Sequence, residues 1–84
     1  MNNIEWTTKA LRQARKLPPE EQGKIADAVE VLQDWPNVEQ VKALQGKSGY
    51  RLRMGRYRVL FTVHAGIPLI IRIEEVKKRD EHTY

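Results

Sequence analysis

Arginine is the residue type whose spacing most clearly suggests chemistry in this chain of 84 residues. Arg51, Arg53, Arg58 and Arg72 alternate with apolar residues in three separate segments. Because successive side chains of a strand point to opposite faces of a sheet, this spacing predicts that all four lie on one face. A guanidinium group stays charged and can donate two parallel hydrogen bonds to a phosphate. The pattern predicts a face that holds a polyanion, with RNA as the preferred candidate; a basic face that contacts only water is the alternative.

The C-terminal segment adds groups that could transfer a proton or contact a base. Its cationic and aromatic residues are Lys77, Lys78, Arg79, His82 and Tyr84. Histidine titrates near neutral pH and is the usual proton-transfer group, whereas tyrosine can stack on an unpaired base. A lone histidine in a polar tail can equally be a solvent-exposed residue without a function. The segment from residue 77 is predicted to be a short tail or a single helical turn, and His64, beside a predicted turn, is interpreted as a surface residue.

Residues for metal or nucleophile chemistry are missing or badly spaced. The chain has no cysteine, and its two histidines and scattered carboxylates lack the spacing of metal ligands. It has no glycine-rich phosphate loop and no arrangement typical of a serine or cysteine nucleophile. We therefore expect no metal and no small-molecule cofactor. The N-terminus does not resemble a signal peptide, and the longest apolar run, Ile67 to Ile71, is too short to cross a membrane, so a cytoplasmic location is expected.

The charge is divided unevenly along the chain. The formal net charge is +4, but residues 1–40 carry two more acidic than basic side chains, and residues 41–84 carry six more basic than acidic ones. The length suits one domain, residues 1–84, without repeats or linkers. The positive field therefore belongs to the second half, which indicates a phosphate-bearing or acidic partner for that half.

The first half predicts one strand and two helices. In residues 4–6 apolar and polar side chains alternate, which predicts a short strand. Thr7 or Thr8 is suited to cap the helix that follows. Pro18 and Pro19 end this helix and begin the next, since proline is tolerated at the first helical position. The apolar stripe of the first helix is Ala10, Leu11, Ala14 and Leu17. That of the second is Ile25, Ala28, Val29, Leu32 and Trp35.

The second half predicts three antiparallel strands, over residues 50–54, 57–64 and about 69–74. We expect an α+β fold in which a helical hairpin packs on one face of a twisted antiparallel sheet, in the order β-α-α-β-β-β. The residues expected on the covered face are Tyr50, Leu52, Met54, Tyr57, Val59, Phe61, Leu69, Ile71 and Ile73. Strand alternation then places Glu74 on the same face as the four arginines.

Two segments resemble the RelE/ParE superfamily of bacterial toxins. Lys42-Ala43-Leu44-Gln45-Gly46, followed by the segment from Tyr50 to Phe61, is similar to its "Leu-x-Gly … Tyr-Arg-x-Arg … Tyr-Arg" pattern. The ending Lys78 to Tyr84 is similar to the C-terminus of the RelE-type ribonuclease branch. The resemblance covers nearly the whole chain and implies the same element order.

The resemblance to the RelE branch implies the toxin of a type II toxin–antitoxin system, inhibited by a cognate antitoxin protein. Such a toxin is a metal-independent endoribonuclease that cleaves mRNA in the ribosomal A site, where the ribose 2′-hydroxyl attacks the adjacent phosphate. The implied catalytic residues are Arg58, Arg79, His82 and Tyr84, with Glu74 on the same face. The implied RNA-binding residues are Arg51, Arg53, Arg56, Lys77 and Lys78.

The identity of the proton acceptor stays open. Some relatives have lysine where this chain has Arg51 and Arg53, and a lysine can lose its proton whereas an arginine does not. Glu74 and His82 are the candidates. Clustered arginines favour the ionised carboxylate and make Glu74 a poor acceptor, so we expect His82 to transfer the proton and Glu74 to orient other groups.

Two other functions are compatible with the same residues. One is a ParE-like inhibitor of DNA gyrase, which acts by binding and is not an enzyme; members of that branch generally lack the Arg/His/Tyr ending. The other is an inactive RNA-binding or regulatory module of the same fold.

Overall fold

The structure is a computed structural model that describes residues 1–78. Its N-terminal half forms a strand and a helical hairpin. The elements are β1 (Asn3–Trp6), α1 (Thr8–Arg15), α2 (Pro19–Glu30) and a 3-10 helix (Val31–Asp34). Thr7 is the N-cap of α1, and its hydroxyl oxygen accepts a hydrogen bond from the backbone N–H of Ala10 at 3.0 Å. Pro19 is the first residue of α2, as predicted. None of these helices is long and apolar enough to cross a membrane.

The C-terminal half forms the remaining strands of one five-stranded sheet. These are β2 (Val41–Ala43), β3 (Tyr50–Met54), β4 (Tyr57–His64) and β5 (Ile70–Lys78), and the spatial order is β1-β5-β4-β3-β2. The predicted α+β fold is confirmed, with two differences. The sheet is mixed because β1 runs parallel to β5, and the three-residue edge strand β2 was not predicted.

The C-terminal end of β5 lies further along the chain than the sequence predicted. Lys77 and Lys78 were expected in a tail or a helical turn, but both are paired in β5, opposite Arg58 and Tyr57. The polar composition of this end misled the prediction, because an exposed strand end needs no apolar alternation when it is held by the backbone of its neighbour.

One apolar layer joins the helices to the sheet. Its fully buried large side chains are Phe61, Ile25, Leu32, Ile71, Ile73 and Val59. At one end Trp35 packs against Tyr50 and Phe61, with ring centroids 4.6 Å and 5.5 Å away. The helices therefore cover one face of the sheet only, and the other face carries the polar residues of the strands.

A β-bulge interrupts the pairing of β4 with β5. Phe61 lies opposite Ile73 and Leu60 lies opposite Glu75, so Glu74 is an extra residue between them. Ile73 and Val76 are separated by two residues, yet both are buried. The bulge shifts the in–out alternation of β5 side chains by one residue, so both Ile73 and Val76 face the core.

Candidate nucleic-acid interface

The register of the strands gathers five cationic side chains on the uncovered face. Arg53 lies directly opposite Arg58, which lies opposite Lys77 on its other side, and Lys42 lies opposite Arg51. Directly opposite residues share a face, with Cβ atoms about 5 Å apart. We call these five residues, Lys42, Arg51, Arg53, Arg58 and Lys77, the basic cluster. It lies where the sequence predicted an arginine face.

The arginines of the basic cluster are available to bind an anion. Arg51 and Arg58 are half-buried and Arg53 is exposed. Within residues 1–78 none of the three makes an ion pair, since the ion pairs there involve Arg72 and the two lysines Lys9 and Lys77. Like charges directly opposite each other repel, which favours a bound anion between Arg53 and Arg58.

Arg72 is on the same face but apart from the basic cluster. It lies opposite Thr62 on β4 and opposite Glu5 on β1, and its guanidinium group is 3.7 Å from the Glu5 carboxylate. Four residues along β4 separate Thr62 from Arg58, which is about 13 Å. The structure therefore brings Arg51, Arg53 and Arg58 together and leaves Arg72 paired with a carboxylate.

Glu74 belongs to a hydrogen-bonded network that sequence reasoning missed. The Thr62 hydroxyl donates to Glu74 Oε2 at 2.7 Å and lies 2.7 Å from His64 Nε2. We call Thr62, His64 and Glu74 the Thr62 network. His64 was interpreted as a surface residue without a partner, but it is half-buried and bonded. The available signal was the spacing of Thr62 and His64, which places both on one face of β4.

Glu75 is the second carboxylate of this region. Its side chain is 21% exposed, 3.2 Å from Lys9 Nζ of α1 and 3.8 Å from Lys77 Nζ. Partial burial works to raise the pKa of this carboxyl, but the hydrogen bond from Lys9 and the charges of Lys77 and Lys9, with a further hydrogen bond from Gln13, hold it below its usual value. Lys77 is therefore partly neutralised within the basic cluster.

The remaining predicted site residues are distributed around this face. Arg56 is exposed in the turn between β3 and β4. Lys78 is exposed and lies opposite Tyr57, whose buried side chain is on the helix-covered face, so Lys78 lies on the face opposite to Lys77. Arg79, His82 and Tyr84 lie outside the described residues. The roles assigned to all of these residues stay predictions.

Three depressions that share lining residues lie along the β2 side of the basic cluster. The first, of about 270 Å³, is lined by Gln40, Val41, Lys42, Arg51 and Arg53. The second, of about 390 Å³, shares Lys42 and Arg51 with the first. The third, of about 680 Å³, shares Ala43 and Leu44 with the second and reaches Lys47, Thr62 and His64. We call the surface lined by these three depressions the basic groove.

Metal chemistry has no candidate site in the part of the chain that the structure describes. Within residues 1–78 no group of three or more histidine, cysteine, aspartate or glutamate side chains is placed to hold a metal ion. What the arrangement offers is fixed positive charge, hydrogen-bond donors and one imidazole.

Solved toxin structures have the same fold. The chain is similar to a protein of the RelBE2 toxin–antitoxin complex of Mycobacterium tuberculosis, with 25% identity over 93% of this chain and 98% of that one and a TM-score of 0.78. It is similar to the isolated E. coli RelE toxin at 18% identity, covering 96% and 87%, with a TM-score of 0.78.

A third similar structure is a toxin named YoeB/ParE and not RelE. The YoeB/ParE toxin of Agrobacterium tumefaciens is 14% identical over 93% of this chain and 99% of that one, with a TM-score of 0.74. No protein-family model and no curated protein sequence matches the chain. The chain has the RelE-like toxin fold that its sequence pattern predicted.

Proposed function

We propose that this chain is the toxin of a type II toxin–antitoxin pair and that it cleaves mRNA as an endoribonuclease in the cytoplasm. The observation that carries the proposal is the basic cluster, in which Arg53 and Arg58 face each other on the uncovered side of a RelE-like sheet without an ion pair in the described part of the chain. Arginines fixed on neighbouring strands can position a phosphodiester and stabilise added negative charge on it.

The proposed reaction is an internal attack on the RNA backbone. The ribose 2′-oxygen gives its proton to an acceptor and forms a bond to the adjacent phosphorus, and the bond from phosphorus to the 5′-oxygen breaks. The leaving oxygen takes a proton, and a 2′,3′-cyclic phosphate remains. Arg51, Arg53 and Arg58 would bind the extra charge of the pentavalent phosphorane, which is largest when both oxygens are partly bonded.

Proton transfer is assigned to groups outside the basic cluster. Glu74 accepts a hydrogen bond from Thr62, and this supports an orienting role for its carboxylate. His82 therefore stays the proposed proton-transfer residue, with Arg79 on the phosphate and Tyr84 stacked on a base. Arg56 and Lys77 are proposed to contact the RNA backbone. Lys78 lies on the opposite face and would contact RNA only around the exposed end of β5.

The proposed protein partner is a cognate antitoxin. Similar structures include toxin–antitoxin complexes from Mycobacterium tuberculosis and E. coli and a RelE-RelB complex from Pyrococcus horikoshii. An antitoxin that covers the basic cluster or the C-terminal segment would block RNA binding. The ribosome is the proposed place of cleavage, since it holds the messenger in a fixed orientation and so lowers the demand on the toxin's own acid and base.

Cleavage mapping tests this proposal. Purified protein is mixed with ribosomes that carry a defined messenger, and separately with the messenger alone, and new 5′ ends are located. We expect cuts in the A-site codon. Arg58→Lys keeps the charge but loses the planar fork, and should slow single-turnover cleavage by about 100-fold. Lys24→Ala, an exposed change on α2, serves as the control and should cleave at the parent rate.

Two results would contradict the proposal. Absence of cleavage on both substrates by a folded protein would exclude the nuclease. The similarity to a structure named YoeB/ParE makes inhibition of gyrase supercoiling the next activity to assay. A folded protein that binds RNA without cutting it or inhibiting gyrase would instead be the inactive RNA-binding module.

A further inference from the structure

The Thr62 network holds one nitrogen of His64 in a defined state. A threonine hydroxyl has one proton, and here it goes to Glu74 Oε2. The 2.7 Å contact between Thr62 Oγ1 and His64 Nε2 therefore requires that Nε2 carry the donated proton. No other residue within 1–78 bonds the ring, so among these residues Nδ1 is the ring nitrogen available to a ligand. Neutral Nδ1 can accept from a nucleotide N–H or O–H, and protonated Nδ1 can donate to a phosphate.

His64 also stands at the end of the basic groove. The third depression is lined by His64 and Thr62 on β4 and by Lys47, Ser48 and Gly49 of the loop before β3. Among the described residues, the charged side chains that line the three depressions are all cationic: Lys42, Lys47, Arg51 and Arg53. A volume of about 680 Å³ lies within the range of small-molecule sites and can hold a nucleotide.

The two ends of the groove are separated by a length that suits a short single strand. Arg53 lines the first depression and lies opposite Arg58 on β4. His64 lies six residues along β4 from Arg58, which is about 20 Å at the rise of a strand. Stacked nucleotides of one strand rise about 3.4 Å each, so about six of them cover this distance, and fewer suffice if the strand is extended. A single strand in contact with the basic cluster therefore reaches His64 if it follows the groove.

We propose that His64, oriented by Thr62 and Glu74, forms a second nucleotide-binding subsite for single-stranded RNA at the far end of the basic groove. The proposal rests on the proposed function and adds the course of the strand across the protein. The basic cluster binds the backbone at the scissile phosphate, and Lys47 and His64 bind a nucleotide several positions away. Thr62 and Glu74 are positioning residues, because they act through the imidazole.

The length dependence of binding tests the proposal. Fluorescently labelled 2′-O-methyl RNA, which lacks the 2′-hydroxyl needed for cleavage, is titrated with the protein at lengths from about two to nine nucleotides. Affinity of the parent should rise with length and then level off once the strand spans both ends. His64→Ala should bind the shortest strands like the parent and lose about tenfold in affinity for strands long enough to reach it.

Two further variants test whether the imidazole must be held in place to bind RNA. Thr62→Val keeps the imidazole but removes the hydroxyl that holds it, and should reproduce most of the loss of affinity for long strands. Glu74→Gln still accepts a hydrogen bond from Thr62 and should reproduce little of this loss. Lys24→Ala should match the parent at every length. Circular dichroism and thermal unfolding verify that each variant is folded.

The outcomes distinguish this inference from the proposed function. If the parent binds longer strands more tightly and His64→Ala does so equally, RNA binds but the His64 subsite is wrong. If the folded parent binds no strand of any length, the subsite is wrong, and cleavage mapping on messenger-carrying ribosomes decides the proposed function separately. If an acidic peptide, but not RNA, binds the parent and loses affinity in His64→Ala, the groove is a protein-binding surface and the proposal is overturned.

Discussion

At the scale of single residues, the uncovered face combines arginines that have no ion pair within residues 1–78 with charges that are paired. Arg53 and Arg58 repel each other across two strands, whereas Glu75 is held between Lys9 and Lys77. The repulsion between the two arginines raises the free energy of the ligand-free protein and favours binding of an anion. The ion pairs of Glu75 stabilise the fold. Both can be measured separately by single substitutions.

Lys9→Met should lower the free energy of unfolding by about 0.5 kcal/mol at pH 7, since an ion pair with one exposed partner contributes little. The folded-state pKa of Glu75 lies below its ordinary value, so this stabilisation is present above the unfolded-state pKa and is lost as the pH falls through the folded-state pKa. Urea unfolding should therefore show a parent–variant difference at pH 7 that disappears in acid. Lys24→Met is the matched control, and a difference that persists in acid would contradict the assignment.

Arg53→Thr should raise the free energy of unfolding by about 0.5 kcal/mol, because it removes the like charge opposite Arg58 and places a strand-forming residue in β3. The gain should shrink at high salt, which screens the repulsion. Arg56→Thr removes the same charge from the neighbouring turn and should give no such gain. Urea unfolding in low and high salt checks this, and equal effects of the two variants would refute a cross-strand origin.

At the scale of elements, Thr7 joins α1 to the sheet. Its hydroxyl accepts from the Ala10 N–H and donates to the Glu74 backbone carbonyl at 3.2 Å. The same residue therefore caps the helix and ties it to the bulge of β5. Glu74 is fixed both by this contact on its backbone and by Thr62 on its side chain.

Thr7→Ala should lower the free energy of unfolding by about 1–2 kcal/mol, because it leaves the Ala10 N–H and the Glu74 carbonyl without their partner. Thr7→Ser retains the hydroxyl and should keep most of the stability. Thr8→Ala, at the next and exposed position, should change the free energy of unfolding by less than about 0.5 kcal/mol. Thermal and urea unfolding compare the three variants, and equal losses at positions 7 and 8 would be inconsistent with the cap.

The elements also show what local sequence can predict. The helices and the strands β3 and β4 follow from apolar spacing, from Thr7 and from the two prolines, because these signals act within a few residues. Three features depend instead on pairing between segments that are distant in sequence: the parallel pairing of β1, the short strand β2 and the bulge at Glu74. The Thr62 network was missed for the same reason, since Glu74 reaches Thr62 only across two paired strands.

At the scale of the whole molecule, positive charge is concentrated on one side of a thin domain. The helices carry five of the eleven acidic residues and cover one face, and the basic cluster occupies the other. The uneven charge of the sequence halves predicted this asymmetry correctly, because the second half forms most of the sheet. Residues 79–84, which hold three of the predicted catalytic side chains, lie outside the described part.

Affinity for single-stranded RNA should fall steeply with salt if the basic cluster binds phosphates. Each neutralised phosphate of a single strand contributes about −0.7 to the slope of log K against log salt, so four contacts give about −3. Arg51→Gln should reduce the magnitude of this slope by about 0.7, whereas Lys24→Gln on the helical side should leave it unchanged. Anisotropy titrations at several salt concentrations provide the slopes, and a slope near zero would exclude phosphate binding by the cluster.

The strand order has a consequence for biosynthesis. β5 is the last strand of the described chain, yet it lies between β1 and β4 in the sheet. A nascent chain that has emerged only through β4 therefore leaves the backbone of β1 without its partner and one side of β4 open. Sheet assembly must wait for Ile70–Ile73 to leave the ribosome, so the earlier segments depend on late-synthesised residues, and chains that stop short of them expose strand edges that can pair with other chains.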